Sequence, residues 1–149
     1  MSDPDILRPI AAPAHAGWRL LALVYDLLPL AALLMLTSAL LLWLHGGRAV
    51  EQRSGWALVQ LGTFWAIAGG YFVVSWRLGG QTIGMRPWRL QLLAADGNPA
   101  NWGALWLRYL MASVTPGLCL AWCLLDRERR GLHDLVAGTQ LVRRAPPSR

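Results

Sequence analysis

Two apolar runs, each long enough to cross a lipid bilayer, constrain this chain more than anything else in it. The first covers residues 20–44 and is interrupted only by Asp26, Pro29, Thr37 and Ser38. About 20 apolar residues in helical conformation span the hydrocarbon core, so this run suffices with some tilt. Trp18 and Trp43 bracket it, where indole rings settle at headgroup depth. The second run, residues 55–76, carries no charge, and its Trp56 and Trp76 stand about 30 Å apart along a helix. Both runs predict membrane-spanning helices. The polar first 16 residues, with Pro4, Pro9 and Pro13, do not resemble a cleavable leader, so the first span is expected to be retained.

A third apolar region, residues 102–125, is interrupted differently. Arg108 lies inside it and Pro116-Gly117 falls near its middle. It reads either as a single span or as a helix broken at Pro116 that dips in and returns. A full crossing would divide the arginines almost evenly between the two sides. A re-entrant path leaves only Arg48 and Arg53 outside, which fits the excess of cationic residues in cytoplasmic loops better. The re-entrant version is therefore preferred, with both termini cytoplasmic. Short strands are predicted at Arg89-Leu-Gln-Leu-Leu93 and Thr139-Gln-Leu-Val142, meeting in a small cytoplasmic sheet. The fold class expected is an all-α membrane protein carrying this minor β element. Its parts are a polar segment (1–16), a membrane domain (17–143) and a tail (144–149).

The composition agrees: 55% of residues are hydrophobic, only 15% are charged, and the net charge is +6. The chain has no lysine and its fixed positive charge is carried by arginine, which points to a GC-rich bacterial source, and the apolar runs point to the cytoplasmic membrane. The arginines flank apolar runs rather than form a basic stripe, so no nucleic-acid partner is expected. Anionic lipid headgroups are the expected partners, through Arg127, Arg129 and Arg130.

Asp26 is the most informative residue, because a carboxylate two turns into a span is costly and usually faces a partner or a water-filled cavity. Pro29 cannot donate a backbone hydrogen bond, which leaves the Tyr25 carbonyl free beside it. That arrangement suits a cation or proton site. The simpler reading is a charge pair that fixes helix packing, made with Arg19, seven residues earlier on the same face, or with Arg108. The simpler reading for the two arginines is that each snorkels to the headgroups. His133-Asp134 lacks an accompanying nucleophile, so a capping or arginine-pairing role is expected of Asp134. Cys119 and Cys123 lack the further ligands of a structural zinc site, and no metal or cofactor is expected. No phosphate loop, dinucleotide motif or zinc-protease helix is present, so the chain does not read as an enzyme. Gly62, Ala66 and Gly70 make a smooth strip where a second helix could approach, in a homo-oligomer or against a larger membrane partner.

Several separated motifs, in order, resemble the RDD family. They are Gly17-Trp-Arg-Leu-Leu-Ala22 with Asp26, Gly80-Gln-Thr-Ile-Gly-Met-Arg-Pro-Trp-Arg89, Asp126-Arg-Glu-Arg-Arg130, and Leu132-His-Asp-Leu-Val-Ala-Gly-Thr139. The resemblance runs over residues 16–143. It implies that the name-giving arginine and two aspartates fall on Arg19, Asp26 and Asp134. Many relatives carry lysine where this chain has Met85, and Arg86 is the candidate substitute. The resemblance implies a bacterial membrane protein. It allows for sodium/proton exchange, described for one member, or for an accessory role in a membrane complex, as in a eukaryotic relative.

Overall fold

The computed structural model describes residues 12–48, 55–115 and 131–144. Helix α1 (Ala16–Leu44) and helix α2 (Gly55–Gly79) form an antiparallel pair. Both exceed the length needed to cross a bilayer, at about 1.5 Å of rise per residue. Their boundaries enclose the two runs of the sequence and extend them by a turn or less. Helix α1 continues through Pro29. Large apolar side chains lie exposed along its whole length, among them Leu28, Met35, Leu36 and Trp43. A helix apolar all round belongs in lipid or in the core of a larger protein.

Strand β1 (Ala12–Pro13) precedes α1, strand β2 (Leu90–Ala94) follows α2, and strand β3 (Thr139–Arg143) closes the described chain. They form one antiparallel sheet in the order β1-β3-β2. Leu90 pairs with Arg143 and Ala94 with Thr139. The two strand candidates of the sequence thus pair with each other, one residue further along in the first case. Arg89 is not in the strand. It adopts φ 55°, in the left-handed region, and turns the chain into β2. β1 had no legible signal, since two residues carry no alternation. Because β1 leads into α1 and β2 closely follows α2, the sheet caps one end of the helix pair.

Helix α3 (Trp102–Val114) begins at that same end, with the Asn101 side chain accepting from the Ala104 N–H at 2.8 Å. It climbs against α2, from Trp102 beneath Arg77 to Tyr109, whose hydroxyl donates to the Trp65 carbonyl at 2.8 Å. Gly69 makes this approach possible: a Cβ there would stand 2.7 Å from the Tyr109 ring and 2.9 Å from that of Trp106. The helix-packing glycine inside the chain is therefore Gly69. A Cβ at Gly62 or Gly70 of the predicted strip would meet nothing within 4 Å among the described residues, and Ala66 is exposed. The reason is angular: Gly69 lies about 100° around the helix from Gly70, on the side that α3 covers. The third apolar region is helical only as far as Val114 among the described residues. Pro116, Cys119, Cys123, Asp126 and the arginines at 127, 129 and 130 lie outside them. Helix α4 (Leu132–Ala137) leads into β3, with Gly138 in the left-handed conformation at its end.

The small core gathers at the sheet end of the helices. Leu90 and Leu92 of β2, Leu141 of β3, Leu105 and Tyr109 of α3 and Val73 of α2 are among its buried members.

Candidate functional site

Two carboxylates are buried in this core, and different chemistry holds each. Asp26, on α1, is only 3% exposed. The Tyr71 hydroxyl of α2 donates to its Oδ1 at 2.6 Å, and the Gly84 N–H donates to the same oxygen at 2.8 Å. The Thr82 hydroxyl donates to Oδ2 at 2.5 Å. All these donors are neutral. The turn carrying Thr82 and Gly84 wraps so closely on α1 that a Cβ at Gly84 would overlap the Ala22 carbonyl oxygen and stand 2.8 Å from the Asp26 carboxyl carbon. Glycine is required there for proximity, not for its dihedral angles.

Asp134, on α4, is fully buried and ionic. Arg19 of α1 reaches its Oδ2 with Nη1 at 2.5 Å, and Arg108 of α3 donates to its Oδ1. The carboxylate also accepts from the Gly131 N–H at 2.9 Å, which satisfies the first turn of its own helix. Arg19 donates further to the Ala14 carbonyl and Arg108 to the Thr139 hydroxyl, tying in the strands. The Arg108 guanidinium also stands 5.1 Å from the centre of the Trp76 ring. One aspartate thus joins α1, α3, α4 and the sheet. Charges buried to this degree persist only when paired and hydrogen-bonded.

A cavity of about 270 Å³ lies between the two centres, and both Asp26 and the two arginines line it. Its remaining wall is mostly apolar, from Ala22, Leu23, Phe72, Met85, Ala112 and Leu141. His133 lines it too. Burial, and then the nearby charges of Arg108 and Arg19, depress its pKa from 6.5 to about 2, so the ring is neutral at physiological pH. Among the described residues no cluster of three or more His, Cys, Asp or Glu side chains could hold a metal.

A family model for the RDD family matches residues 13–138, most of the chain. This chain belongs to the RDD family. No curated protein and no solved structure matches it. RDD proteins are a membrane family, and the two long apolar helices fit that assignment.

Arg19, Asp26 and Asp134, the residues that the family resemblance singles out, do not form one cluster. Arg19 and Asp134 join each other and Arg108, whereas Asp26 stands apart with its neutral donors. The expected ion pair between Asp26 and Arg19 or Arg108 is therefore not made. Seven residues separate Arg19 from Asp26 by about 10 Å along α1, and among the described residues Asp134 is the carboxylate that both arginines reach. Neither arginine snorkels to the headgroups, because Arg19 is 8% and Arg108 5% exposed. Tyr25 is half-exposed and packs edge-on against Trp88 instead of joining Asp26. Pro29 lies one turn beyond Asp26 within the continuous helix. Met85, at the position of the relatives' lysine, is buried, and its sulfur accepts from the Thr82 N–H at 3.4 Å. Arg86 is exposed and does not take that buried place. Sequence reasoning missed Tyr71, Thr82 and Gly84. Only the Gly80–Arg89 motif carried a trace of the last two.

Proposed function

We propose that this RDD-family membrane protein is a component of small-cation or proton exchange, with Asp26 as the exchanging group. One observation carries the reading: the side chains that hold Asp26 are hydroxyls. A hydroxyl can donate or accept. If Asp26 takes up a proton, Thr82 or Tyr71 can turn to accept it, and the pocket keeps its geometry. The arginine-held Asp134 has no such freedom, because guanidinium groups only donate. The cavity beside Asp26 offers a path for exchange, and an intramembrane carboxylate in such a place is a functional candidate by default. The sodium/proton exchange that the family resemblance implied lies in the same direction.

The reading includes a topology. β1, β2 and β3 share one sheet at one end of the helix pair. Helix α3 starts at that end and, at 13 residues, is about 20 Å long, shorter than the hydrocarbon core. Helix α4 and β3 lie at that end too, so the chain after α3 comes back to the side it left, which supports the re-entrant reading of this region. The sheet and both termini are cytoplasmic in the bacterial inner membrane, and Arg48 lies outside.

The test is ion-driven exchange in proteoliposomes. Asp26→Asn should insert and purify like the parent yet lose sodium- or proton-driven flux. Undiminished flux in that variant excludes Asp26 as the exchanging group. A second reading, an accessory subunit of a larger membrane complex, is favoured by the open strip at Gly62 and Gly70, which no helix among the described residues covers. Native mass measurement after mild extraction separates the two. A uniform homo-oligomer supports exchange, and a stoichiometric foreign partner supports the accessory role.

A further inference from the structure

At the Arg143 end of β3, aromatic rings and arginines collect around the edge of the sheet. Trp18, in the first turn of α1, packs against Trp88 with ring centres 5.1 Å apart, and Tyr25 adds its edge to Trp88 at 5.8 Å. The Arg143 guanidinium lies 4.3 Å from the centre of the Trp18 ring, and its Nε donates to the Trp88 carbonyl at 3.3 Å. Arg144 follows, with its backbone N–H donating to the Arg89 carbonyl at 3.0 Å and its Nε to Gln91 Oε1 at 2.5 Å. Leu90 pairs with Arg143, so Arg89, Arg143 and Arg144 emerge within one strand spacing of one another. All three are exposed. Arg89 holds its place in a left-handed conformation that glycine would adopt without strain.

Acidic residues do not balance this patch. Of the described carboxylates, Asp26 and Asp134 are buried and committed, and only Asp96 is exposed. Asp96 lies beyond the Ala94 end of β2, the opposite end from Arg89. Three neighbouring cations therefore face outward without local neutralisation by the described residues. Their depth is set by Trp18, at the start of a membrane-spanning helix, where indoles sit among headgroups. The anions abundant at that depth are lipid phosphates.

We propose that Arg89, Arg143 and Arg144, beside the Trp18–Trp88 stack, form a docking face for the headgroup of an anionic phospholipid. The two indoles lie against the first acyl carbons and the guanidinium groups hold the phosphate, which they can contact in a planar, forked geometry. These residues are distinct from the cluster at 127–130. The inference rests on family membership and on α1 as a span, and it is independent of the exchange reading.

Native mass spectrometry of the full chain, extracted in mild detergent with equal phosphatidylglycerol and phosphatidylcholine, tests it. The parent should retain phosphatidylglycerol preferentially. Each arginine changed to glutamine should lower that preference about fivefold, the equivalent of ~1 kcal/mol per cation near a charged surface. Arg89→Gln/Arg143→Gln/Arg144→Gln should abolish it, the matching triple lysine variant should restore part of it, and Arg48→Gln should leave it unchanged. In the parent itself, raising salt should weaken the preference and inorganic phosphate should not displace the lipid, an arm that needs no variant to fold. An unchanged preference in the triple glutamine variant, or no preference in the parent, overturns the proposal. Displacement by inorganic phosphate would assign the face to free phosphate instead.

Discussion

Asp26 and Asp134 are two buried carboxylates in one small core, and they differ in almost everything but burial. Asp134 lies between two arginines and caps its own helix, so its negative charge is part of the architecture. Asp26 accepts from two hydroxyls and one backbone N–H, so its surroundings tolerate a change of charge. The difference shows that depth in the membrane does not by itself assign a role to an acidic residue. What assigns it is the partner. Fixed cations bind a carboxylate into the architecture, whereas reorientable dipoles leave room for the exchange proposed for Asp26.

The contrast is most exposed to a change at Asp134. Asp134→Asn would leave two buried guanidinium groups facing a neutral amide, and removing one member of a buried ion pair costs about 3–5 kcal/mol. That variant should be recovered poorly and should melt far below the parent in detergent. Parent-like melting would erase the distinction between the two sites. Next comes Gly84→Ala, which forces a methyl group toward the Ala22 carbonyl and should cost about 1–3 kcal/mol, read by the same melting assay. Asp26→Asn should cost less, on the order of 1 kcal/mol, because an amide oxygen still accepts from Gly84 while one hydroxyl must turn. Its signature is lost flux with retained fold. Should Asp26→Asn prove as destabilising as Asp134→Asn, the two sites are alike and Asp26 is a second architectural clamp.

Near neutral pH the smallest effect is that of His133, and it grows as pH falls. His133 is neutral in the folded protein down to about pH 2, chiefly because it is buried and then because Arg108 and Arg19 lie near. The unfolded chain takes up a proton on this ring once pH falls below its ordinary 6.5, and the folded chain does not. The unfolded state therefore gains protons, and the stability that His133 contributes above pH 6.5 is progressively lost as pH falls toward 2. Melting temperatures at pH 7, 5 and 4 should decline in the parent, and His133→Gln should make that decline shallower by up to one proton's worth of slope. An unaltered slope would mean that the ring is not kept neutral.

The large architecture was legible in the sequence because hydrophobic length is a strong local signal. Residues 20–44 and 55–76 lie within the two long helices, and the alternation at Arg89–Leu93 and Thr139–Val142 located two of the three strands. The arginine-pairing and capping roles considered for Asp134 are both present in its contacts. Its partners were not legible, since 115 residues separate it from Arg19. The surroundings of Asp26 were even less so. Tyr71 and Thr82 lie 45 and 56 residues away, and they are neutral groups that charge-based reasoning passes over. Electrostatic intuition offered Asp26 as the partner of Arg19 along the helix and of Arg108 from the third region, whereas tertiary packing joined both to Asp134.

The order of the sheet has a consequence for biosynthesis. Its middle strand, β3, stands later in the chain than either strand it joins. Translation proceeds from the N-terminus, so β1 and β2 leave the ribosome while their shared neighbour is still unmade, and their edge hydrogen bonds must wait. Asp134, which ties down two arginines, arrives with the same late stretch. A nascent polypeptide stopped before residue 131 would hold two inserted rods without the strand that joins β1 to β2 and without the carboxylate that joins Arg19 to Arg108, a species that membrane quality control can recognise as unfinished.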